Sequence, residues 1–546
     1  MTLVEAVLAA RGLTDPKKRQ AFLHPDYDAT RHDPFLLPDM DKAVSRLVRA
    51  QAQKENVVIY GDYDIDGLTA STVLLDSFTA FGIDARVFIP NRFIEGYGLS
   101  SKAIETLAGE GAQLIVTVDC GSLSHKEIAR ANELGVDVIV TDHHSVAETM
   151  PDAVATINPK RTDHTYPFID LAGVGVAFKL VQALQTKLDG LPKGQEKWLL
   201  DLVALGTVCD VVELADENRT NVYWGLEVMK KTRRPGIKLL MAVSRVEPEK
   251  LVARSLGFGL GPRLNAAGRL ETAQLALDLL TATDSSKAYE LATLLDTMNQ
   301  ERRAEQDRIF KAARKQADAM VEDNVLIVSD PTWSHGIIGI VAAKLLEMYY
   351  KPTFVLQELE DGTAKGSARS FGDFSAVEAI RATEELLIKG GGHKLAAGVT
   401  LKATNIADWR TAVNEYYKTL DLTDQLRHLD VRSDVTLTDF SLCSEGNVSA
   451  LTRLEPYGNG NPEPIFEFPK LTVQTRRTMG AEGQHVKYRF MDHKGSTMEM
   501  IAFNKATEFT ADIGDAVSVW CELGINEWNG RRAVEGRLLK LSDVQD

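Results

Sequence analysis

Short apolar runs alternate with more polar, helix-forming segments between residues 57 and 140. Each run is long enough for one buried strand, and the segment after it keeps its apolar residues at helical spacing. This alternation predicts a parallel β-sheet with helices on both of its faces. The predicted strands are Val57–Tyr60, Ala85–Ile89, Leu114–Val118 and Val138–Val140, and the predicted helices are Thr69–Phe81, Ser101–Glu110 and Ser124–Leu134.

A long helical pattern occupies the middle of the chain. Residues 281–330 contain no glycine or proline, and the apolar residues from Leu291 to Met298 keep helical spacing. With Asp284 as an N-cap, one long helix, or two in series, is predicted to link two bodies. A second strand–helix unit follows. Its predicted elements are strands at Val325–Val328 and Thr353–Leu356, a helix near Ile337–Tyr349 and a glycine-rich turn at Gly390–His393.

Alternation with period two replaces the helical pattern after residue 430. Short alternating runs separated by turn residues are typical of a small barrel of the OB type. The predicted strands are Leu471–Arg476, Val486–Phe490, Met498–Phe503, Ala516–Leu523 and Arg532–Leu538.

Together these patterns predict an α/β protein with a parallel-sheet domain, a long connecting helix, a smaller α/β domain and a C-terminal OB-type β-barrel. The predicted boundaries are 1–50 for an N-terminal helical segment, 51–280 for the parallel-sheet domain, 281–324 for the connecting helix, 325–428 for the smaller α/β domain and 429–546 for the barrel.

Composition excludes several classes of protein. Of the 546 residues, 44% are hydrophobic and 25% are charged, which excludes a fibrous or disordered chain. The formal net charge of −15, from 77 acidic and 62 basic residues, argues against a surface covered with phosphate contacts. A local basic groove is still compatible with that charge, and so is a site that gathers carboxylates around metal ions.

The cysteines and the N-terminus bear on location. The four cysteines are too few and too scattered for a disulfide framework or a Cys-x-x-Cys zinc site. Leu3, Val7 and Leu8 predict a short amphipathic helix rather than a leader peptide. We see no apolar run of ~20 residues, the length that a membrane helix needs, and therefore expect a soluble, cytoplasmic protein.

Acidic residues and histidines follow the predicted strands. The carboxyl ends of parallel strands meet at one edge of a sheet, where open α/β folds bind their ligands. We therefore expect these side chains to converge. Asp62, Asp64 and Asp66 follow the first strand, Asp119 follows the third, and Asp142–His143–His144 follow the fourth. Asp210 follows a further apolar run at Leu205–Val208, within a stretch from Leu171 to about Thr283 that is predicted to be apolar and helical.

Crowded carboxylates repel one another, and a divalent cation removes that repulsion. Several aspartates with one or two imidazoles suit manganese or magnesium. Because the acids outnumber the needs of one ion, we predict two ions ~3.5–4 Å apart that activate a water and hold a phosphoryl oxygen. The run Asp62–Gly67 also looks like part of a calcium loop, but the distal glutamate of that loop is missing. Cys120 and Cys209 adjoin proposed ligands and are interpreted as core residues.

At Asp142–His143–His144 the sequence resembles the DHH phosphoesterase superfamily, and further motifs resemble one family within it, the bacterial RecJ exonucleases. The triplet alone is unspecific, whereas the ordered set of motifs is highly specific and extends over nearly the whole chain. The other matching motifs are Val57–Gly67, Pro90–Leu99, Val118–Gly121, Ala204–Asp210, Gly261–Leu270, Gly336–Ala342, Lys365–Ser370 and Gly390–Gly398.

This resemblance implies a single-strand-specific DNA exonuclease that works 5′ to 3′, releases mononucleotides and acts in DNA recombination and repair. It implies manganese or magnesium as the cofactor. Residues 51–280 then form the DHH phosphoesterase domain, and residues 325–428 form the DHH-associated substrate-binding domain. The implied metal ligands are Asp64, Asp66, Asp119, His143 and Asp210, with Asp62 as an additional acid, and the implied catalytic residues are Asp119, His143 and His144, of which His144 supports the site or handles protons.

Arginines and glycine-rich backbone amides are the groups that bind phosphates in proteins. Arg92 follows the second predicted strand and is expected at the acidic edge, and Arg263 and Arg269 flank Asn265 in a glycine-bounded loop. The alternative to phosphate binding is that each arginine is a solvated surface charge. For His393, the alternative is that it caps a helix. In the DHH-associated domain, the resemblance assigns phosphate binding to Ser367, Arg369, Gly391, Gly392 and His393.

Aromatic residues offer a possible base-stacking surface. Trp333 and His335 could stack on bases, but a packed tryptophan is an equal alternative. In the barrel, basic residues surround Tyr488 and lie near Trp520. That combination suits sequence-tolerant binding of a single strand, with a place in the barrel core as the alternative for both aromatic residues.

Two other functions stay open at this point. One is a DHH phosphoesterase for short oligonucleotides or cyclic dinucleotides, and the other is a non-catalytic single-strand-binding scaffold. The intact set of acids speaks against the scaffold, and the motif Gly261–Leu270 with the barrel speaks against the short phosphoesterases. We expect single-stranded DNA, a single-strand-binding protein and a helicase as partners, no membrane, and a monomer.

Overall fold

The computed structural model describes residues 2–91, 98–270, 272–420, 422, 431–528 and 530–543. The chain divides into two units. The first comprises Met1–Asn265, Ala273–Ala292 and Val431–Asp546, and the second comprises Ala266–Thr272 and Thr293–Asp430.

A five-stranded parallel sheet lies in the first unit. Its strands are β1 (Val57–Gly61), β2 (Ala85–Phe88), β3 (Leu114–Val118), β4 (Asp137–Thr141) and β5 (Ala155–Ile157). They lie in the order β2-β1-β3-β4-β5. Every residue of β1 and β3 is buried, as expected for a parallel sheet that is covered on both faces. The prediction of a parallel sheet is confirmed, and the short β5 is an addition to it.

Helices cover both faces of this sheet. The helices of the first 281 residues are α1 (Leu3–Ala10), α2 (Pro16–Leu23), α3 (Met40–Gln53), α4 (Ile65–Phe81), α5 (Ser101–Gly109), α6 (His125–Glu133), α7 (Gly173–Leu184), α8 (Leu200–Cys209), α9 (Asp216–Met229), α10 (Pro235–Val243), α11 (Ala253–Ser255), α12 (Gly261–Leu270) and α13 (Gln274–Thr281). Residues of α5 and α6 share one hydrophobic core with Val58, Ile115 and Val138 of the strands. Helices α4 and α7 contact strands of the same sheet. The sequence-predicted site residues follow β1, β3 and β4 at the carboxyl edge of this sheet.

The apolar run before Asp210 is helical, as expected for the stretch from Leu171 to about Thr283. Leu205–Val208 lies in helix α8, so Asp210 follows a helix and not a strand. A short, fully buried apolar run has the same sequence pattern in a helix and in a strand. Here all residues from Leu200 to Thr207 are buried, so no polar face marks the helical period.

The second unit contains a mixed sheet in the order β6-β7-β8-β10-β9. Its elements, with the helix that precedes them, are α14 (Ser285–Asp318), β6 (Leu326–Asp330), α15 (His335–Tyr349), β7 (Thr353–Glu358), β8 (Thr363–Arg369), α16 (Ala376–Ala382), β9 (Leu387–Gly392), β10 (Ala396–Lys402) and α17 (Ile406–Thr419). The predicted long helix is the single helix α14 of 34 residues, and Asp284 Oδ1 accepts a hydrogen bond from the Lys287 N–H at 2.8 Å. The predicted glycine-rich turn is wrong, because Gly390–Gly392 end strand β9 and pair with β10 through the backbone.

The C-terminal part of the first unit is a closed barrel. Its elements are β11 (Val435–Thr436), α18 (Glu445–Ser449), β12 (Ile465–Met479), β13 (His485–Met491), β14 (Thr497–Ala502), β15 (Ala516–Trp528) and β16 (Arg531–Asp543). Pairing of β12 with β15 closes the barrel, which confirms the predicted OB-type fold. Tyr488 is fully buried in the barrel core, and its hydroxyl donates to the Phe509 carbonyl at 2.8 Å. The predicted short amphipathic helix is α1, and its Leu3 and Val7 join the same core. Within the described part of the chain, no helix has the length and apolar character needed to cross a membrane.

A buried ion pair joins α7, α9 and the segment before α3. Lys179 Nζ lies 2.6 Å from Glu217 Oε1, and these side chains are 2% and 3% exposed. Lys179 Nζ also donates to the His32 carbonyl at 2.6 Å, and the Tyr166 hydroxyl donates to Glu217 Oε2. Both charges are therefore compensated inside the protein, and removal of either partner would leave the other uncompensated.

We expect Lys179→Met to destabilise the first unit by about 3–5 kcal/mol, the usual cost of leaving one member of a buried ion pair alone. Urea unfolding followed by tryptophan fluorescence measures this change, with exposed Lys187→Met as the matched control. A loss below about 1 kcal/mol, the range for an exposed ion pair, would contradict the structural role given to Lys179.

Candidate metal centre

Carboxylates and imidazoles converge at the carboxyl edge of the parallel sheet. Three overlapping sets of donor atoms form there, and within each set the atoms lie within 4.8 Å of one another. Asp119 and His143 each belong to two of these sets, so the sets make one continuous cluster. The sets are Asp62, Asp64 and Asp119; Asp66, His143 and Asp210; and Asp119, His143 and His144.

His143 lies at the middle of the cluster. Its Nε2 atom is 3.1 Å from Asp119 Oδ1, 3.5 Å from Asp210 Oδ2 and 3.8 Å from Asp66 Oδ2. His144 Nδ1 lies farther out, 3.7 Å from Asp119 Oδ1. The predicted metal ligands are thus brought together by the fold, although their role as ligands stays a prediction.

The backbone aims the acids of the first motif. Asp64 is the N-cap of α4, and its Oδ1 accepts hydrogen bonds from the Asp66 and Gly67 N–H groups at 2.9 and 3.1 Å. Asp66 is held by a different helix, because Gly173 and Val174 at the start of α7 donate to its two oxygens at 2.6 and 2.8 Å. The positive end of a helix favours a negative charge at this point.

Asp119 is positioned by an unusual backbone conformation. Its φ angle of 62° lies in the left-handed region, which residues other than glycine adopt rarely and which recurs at active sites. The Asp119 N–H donates to the Thr141 carbonyl at 3.0 Å, so the conformation is fixed against β4.

Glycines next to the acids leave room for them. A Cβ on Gly173 would lie 2.8 Å from Asp119 Oδ1, and one on Gly206 would lie 2.9 Å from Asp66 Oδ1. A Cβ on Gly67 would lie 2.5 Å from the Asp62 carbonyl oxygen. Distances this short cannot be accommodated without moving the acids, so these glycines are part of what sets the shape of the cluster.

Asp142, the first residue of the DHH triplet, has a role that the sequence reasoning missed. It lies outside the three donor sets and instead bonds His144 Nδ1 through Oδ1 at 2.9 Å. Its oxygens also accept the N–H groups of His143 and Ser122, at 2.8 and 2.9 Å. A carboxylate that orients a neighbouring imidazole is a common outer partner of metal sites, but in a sequence it looks like one more ligand.

Burial and mutual repulsion raise the pKa values of the clustered acids. Burial, followed by the charge of Asp64, raises the pKa of Asp62 to about 8 and that of Asp210 to about 7. Burial and the neighbouring carboxylates also hold the pKa values of Asp66 and Asp119 well above the usual range. The four acids are held together at a cost that a divalent cation would remove.

The imidazoles differ in protonation. Burial, helped by the charge of His144, lowers the pKa of His143 to about 3, so His143 is neutral and has a lone pair to offer. Burial acts against the charged form of His144 as well, but the hydrogen bond and charge of Asp142 outweigh it and raise the pKa of His144. Among the residues that the structure describes, the buried atoms Asp62 Oδ1 and His143 Nε2 make no hydrogen bond. The donor set therefore fits a hard divalent cation such as manganese or magnesium.

The predicted substrate-binding residues lie on different elements of the fold. Arg92 lies outside the described residues. The glycine-bounded loop predicted around Asn265 is wrong: Arg263, Asn265 and Arg269 lie on helix α12. Arg263 Nη1 donates to the Gly259 carbonyl at 2.7 Å, and Arg269 Nη1 donates to the Gly336 carbonyl at 3.0 Å. The glycines of this motif had suggested a loop, but Gly261 is the first residue of α12 and Gly268 lies inside it.

The phosphate-binding residues predicted for the second unit lie on neighbouring strands. Gly398 on β10 pairs with Ser367 on β8 and with Gly391 on β9, and Arg369 Nη1 donates to Ser367 Oγ at 3.2 Å. Gly392 ends β9, and His393 follows it in the connection to β10, which excludes the helix-cap alternative.

Trp333 is fully buried, so the packed alternative holds for this residue.

Comparison with known proteins gives matches along the chain. The DHH family, N-terminal domain, matches residues 56–207, the DHHA1 domain matches residues 322–419, and the RecJ OB domain matches residues 434–539.

Two similar proteins carry the name single-stranded-DNA-specific exonuclease RecJ. The chain is 36% identical over 521 residues to the one from Salmonella typhimurium, which covers 91% of this chain and 89% of that protein. It is 38% identical over 535 residues to the one from Bacillus subtilis, which covers 97% of this chain. The chain spans 66%, just under two thirds, of the length of the Bacillus subtilis protein.

Crystal structures of RecJ from Thermus thermophilus have a similar fold. The complex with Mn²⁺ has a TM-score of 0.85 and 31% sequence identity, and the match covers 100% of this chain and 76% of that one. The complex with Mg²⁺ has a TM-score of 0.79 and 30% identity, with 100% and 75% covered.

We expect Gly173→Ala to lower Mn²⁺-dependent activity by about 100-fold, because a displacement of about 1 Å in a catalytic group has an effect of that size. The matched control is Gly175→Ala on the same helix, where the added Cβ meets Leu171 at an ordinary 3.4 Å. Comparable activity in the two variants would contradict the role given to Gly173.

The raised pKa values predict how stability depends on pH and metal. Above about pH 4 the four clustered acids keep protons in the folded, metal-free chain that they lose in the unfolded chain, so their contribution to stability falls as the pH rises through the pKa values of about 7 and 8 of Asp210 and Asp62. Cations need ionised ligands and stabilise more as the pH rises. We expect the gain in melting temperature from MnCl₂ over EDTA to be larger at pH 8 than at pH 6, and an equal or smaller gain at pH 8 would refute this.

Proposed function

The chain belongs to the RecJ family of single-stranded-DNA-specific exonucleases, and we propose that it degrades single-stranded DNA from the 5′ end to mononucleotides in DNA recombination and repair. The observation that carries this proposal is the cluster of three donor sets, which are linked because Asp119 and His143 each belong to two of them. Shared ligands are the arrangement expected for two neighbouring divalent cations, manganese or magnesium.

The proposed ligands of these cations are Asp62, Asp64, Asp66, Asp119, His143 and Asp210. When bound, such cations would polarise a phosphodiester and lower the pKa of a bound water. The neutral His143 supplies a nitrogen ligand, and the N-terminus of α7 keeps Asp66 in place.

His144 is proposed to handle the proton of the leaving oxygen. Its hydrogen bond to Asp142 at 2.9 Å favours the protonated imidazole, and its side chain is 41% exposed, so it can reach a substrate. Substitution of Asp142 would therefore act on proton transfer through His144 rather than on the metal ligands directly.

The substrate phosphates are proposed to bind the residues assigned by motif: Arg92, Arg263, Asn265, Arg269, Ser367, Arg369, Gly391, Gly392 and His393. The pairing of Ser367, Gly398 and Gly391 across three strands supports this for the second unit. Their small side chains leave backbone amides accessible to a phosphate, and the Arg369 guanidinium beside Ser367 can bind the phosphate directly. The buried Tyr488 and Trp333 take no part in base stacking under this proposal.

We propose a cytoplasmic monomer that works with a single-strand-binding protein and a helicase. The four free cysteines support a reducing compartment, and the need for a single strand supports partners that expose and protect one. Sedimentation of the purified chain tests the proposal of a monomer.

End-labelled strands test the polarity. With Mn²⁺ and a single strand labelled at the 5′ end, the label should appear as a mononucleotide at the earliest times, while a 3′ label should remain on progressively shorter strands. The opposite order would contradict the proposed polarity, and turnover of dinucleotides but not of long strands would favour a phosphoesterase for short substrates.

We expect Asp119→Ala to lower the rate of hydrolysis by about 100-fold or more, the scale for losing one stabilising group in an active site, with strand binding retained. A filter-binding assay beside the nuclease assay measures both quantities. The exposed Asp152→Ala is the matched control, and near-normal turnover by Asp119→Ala would refute the ligand assignment.

A further inference from the structure

Val211, the residue after the proposed ligand Asp210, has a strained backbone. Its φ angle is 61°, in the left-handed region. Helices commonly place a glycine in this conformation just after their end, whereas a β-branched residue there is a true outlier. The Val211 side chain is 65% exposed, so packing around it cannot explain the conformation. Contacts of the backbone must hold it in place.

Two hydrogen bonds hold the Val211 backbone. The Val211 N–H donates to the Val208 carbonyl at 3.3 Å, and the second contact comes from Asn459, in a distant part of the chain. Its side-chain Nδ2 donates to the Val211 carbonyl at 3.0 Å, and its own carbonyl accepts the Leu214 N–H at 2.8 Å. Asn459 thus holds both ends of the loop 211–214: it donates to the first residue and accepts from the last.

The segment that carries Asn459, residues 454–462, is itself firmly held; we name it the anchor segment. Gly458 and Asn461 exchange backbone hydrogen bonds of 2.9 and 3.1 Å around Asn459. Arg219 of α9 donates to the carbonyls of Leu454, Glu455 and Pro456 at 3.1, 2.9 and 3.2 Å. The anchor segment can therefore impose a conformation on the loop that it touches.

Close packing adds to these hydrogen bonds. A Cβ on Gly458 would lie 2.7 Å from Leu214 Cδ1, and a Cβ on Gly460 would lie 2.3 Å from Glu213 Cγ. The two glycines let the anchor segment lie directly against the loop. Since β12 of the barrel begins at Ile465, the barrel and the loop after Asp210 are mechanically joined.

We propose that Asn459 is a positioning residue for Asp210: it holds the Val211 backbone in its strained conformation and so fixes the direction of the Asp210 carboxylate. This inference rests on the proposed function, in which Asp210 binds a divalent cation. Under this proposal, the anchor segment before the OB-type barrel helps to shape the metal centre although it does not contact the metal.

The test is Mn²⁺ binding by the full chain, read from the loss of the free-ion signal in electron paramagnetic resonance. We expect Asn459→Ala to weaken the affinity about tenfold or more, as is usual for outer partners of metal ligands. The matched control is Asn447→Ala. In the wild type, Asn447 Nδ2 makes one comparable hydrogen bond to the Leu442 carbonyl at 3.0 Å, within the segment of α18. It should bind Mn²⁺ like the wild type.

A second background separates this role from general stability. Glycine adopts a positive φ without help, so Asn459→Ala should lose most of its effect in a chain that also carries Val211→Gly. Equal fold-losses of affinity in the two backgrounds would overturn the proposal. Asn459→Asp, which keeps the size but replaces the donor with a carboxylate, serves in place of Asn459→Ala if that variant does not fold, with the same expected loss.

The outcomes separate this inference from the proposed function. Wild-type binding with unchanged affinity in Asn459→Ala overturns the inference alone. Absence of Mn²⁺ binding in the wild type overturns the proposed function and the inference with it.

Discussion

The burial and mutual repulsion of clustered aspartates are the constraint on which the rest of this molecule depends. Asp66 and Asp119 have side chains that are 0% and 2% exposed, and neighbouring carboxylates surround both. Each unit by which such a pKa rises costs about 1.4 kcal/mol at a pH where the group is ionised. A fold tolerates that cost when something is gained from it, and the gain available here is a site that divalent cations complete.

Several separate parts of the chain are needed to build that site. The ends of β1, β3 and β4 bring the acids and His143 to one edge, α7 directs its first N–H groups at Asp66, and Gly173 and Gly206 leave the space that the carboxylates occupy. From the barrel side, Asn459 of the anchor segment contacts Val211, the residue after Asp210. The parallel-sheet domain and the barrel are therefore parts of one structure within the first unit, and under our proposal a change in either alters the donor cluster.

Much of the fold follows from sequence pattern, because buried parallel strands are short continuous apolar runs and the rule for strand ends then places Asp62, Asp119 and His143 together. The helical character of the stretch before Asp210 was predicted, but the bounds of its helices were not, because every residue from Leu200 to Thr207 is buried and no polar face marks the helix. Asp142 was left out of the predicted ligands, but its role in orienting His144 was not predicted, because only distances show which imidazole a carboxylate contacts. Asn459 lies 248 residues from Val211 along the chain, and no local pattern links positions so far apart.

Anomalous X-ray scattering at the manganese edge, from crystals of the full chain soaked in MnCl₂, tests the central claim most directly. The account predicts two manganese peaks inside the cluster, both in contact with Asp119 or His143. Peaks elsewhere on the chain, or no peak among these aspartates, would contradict it.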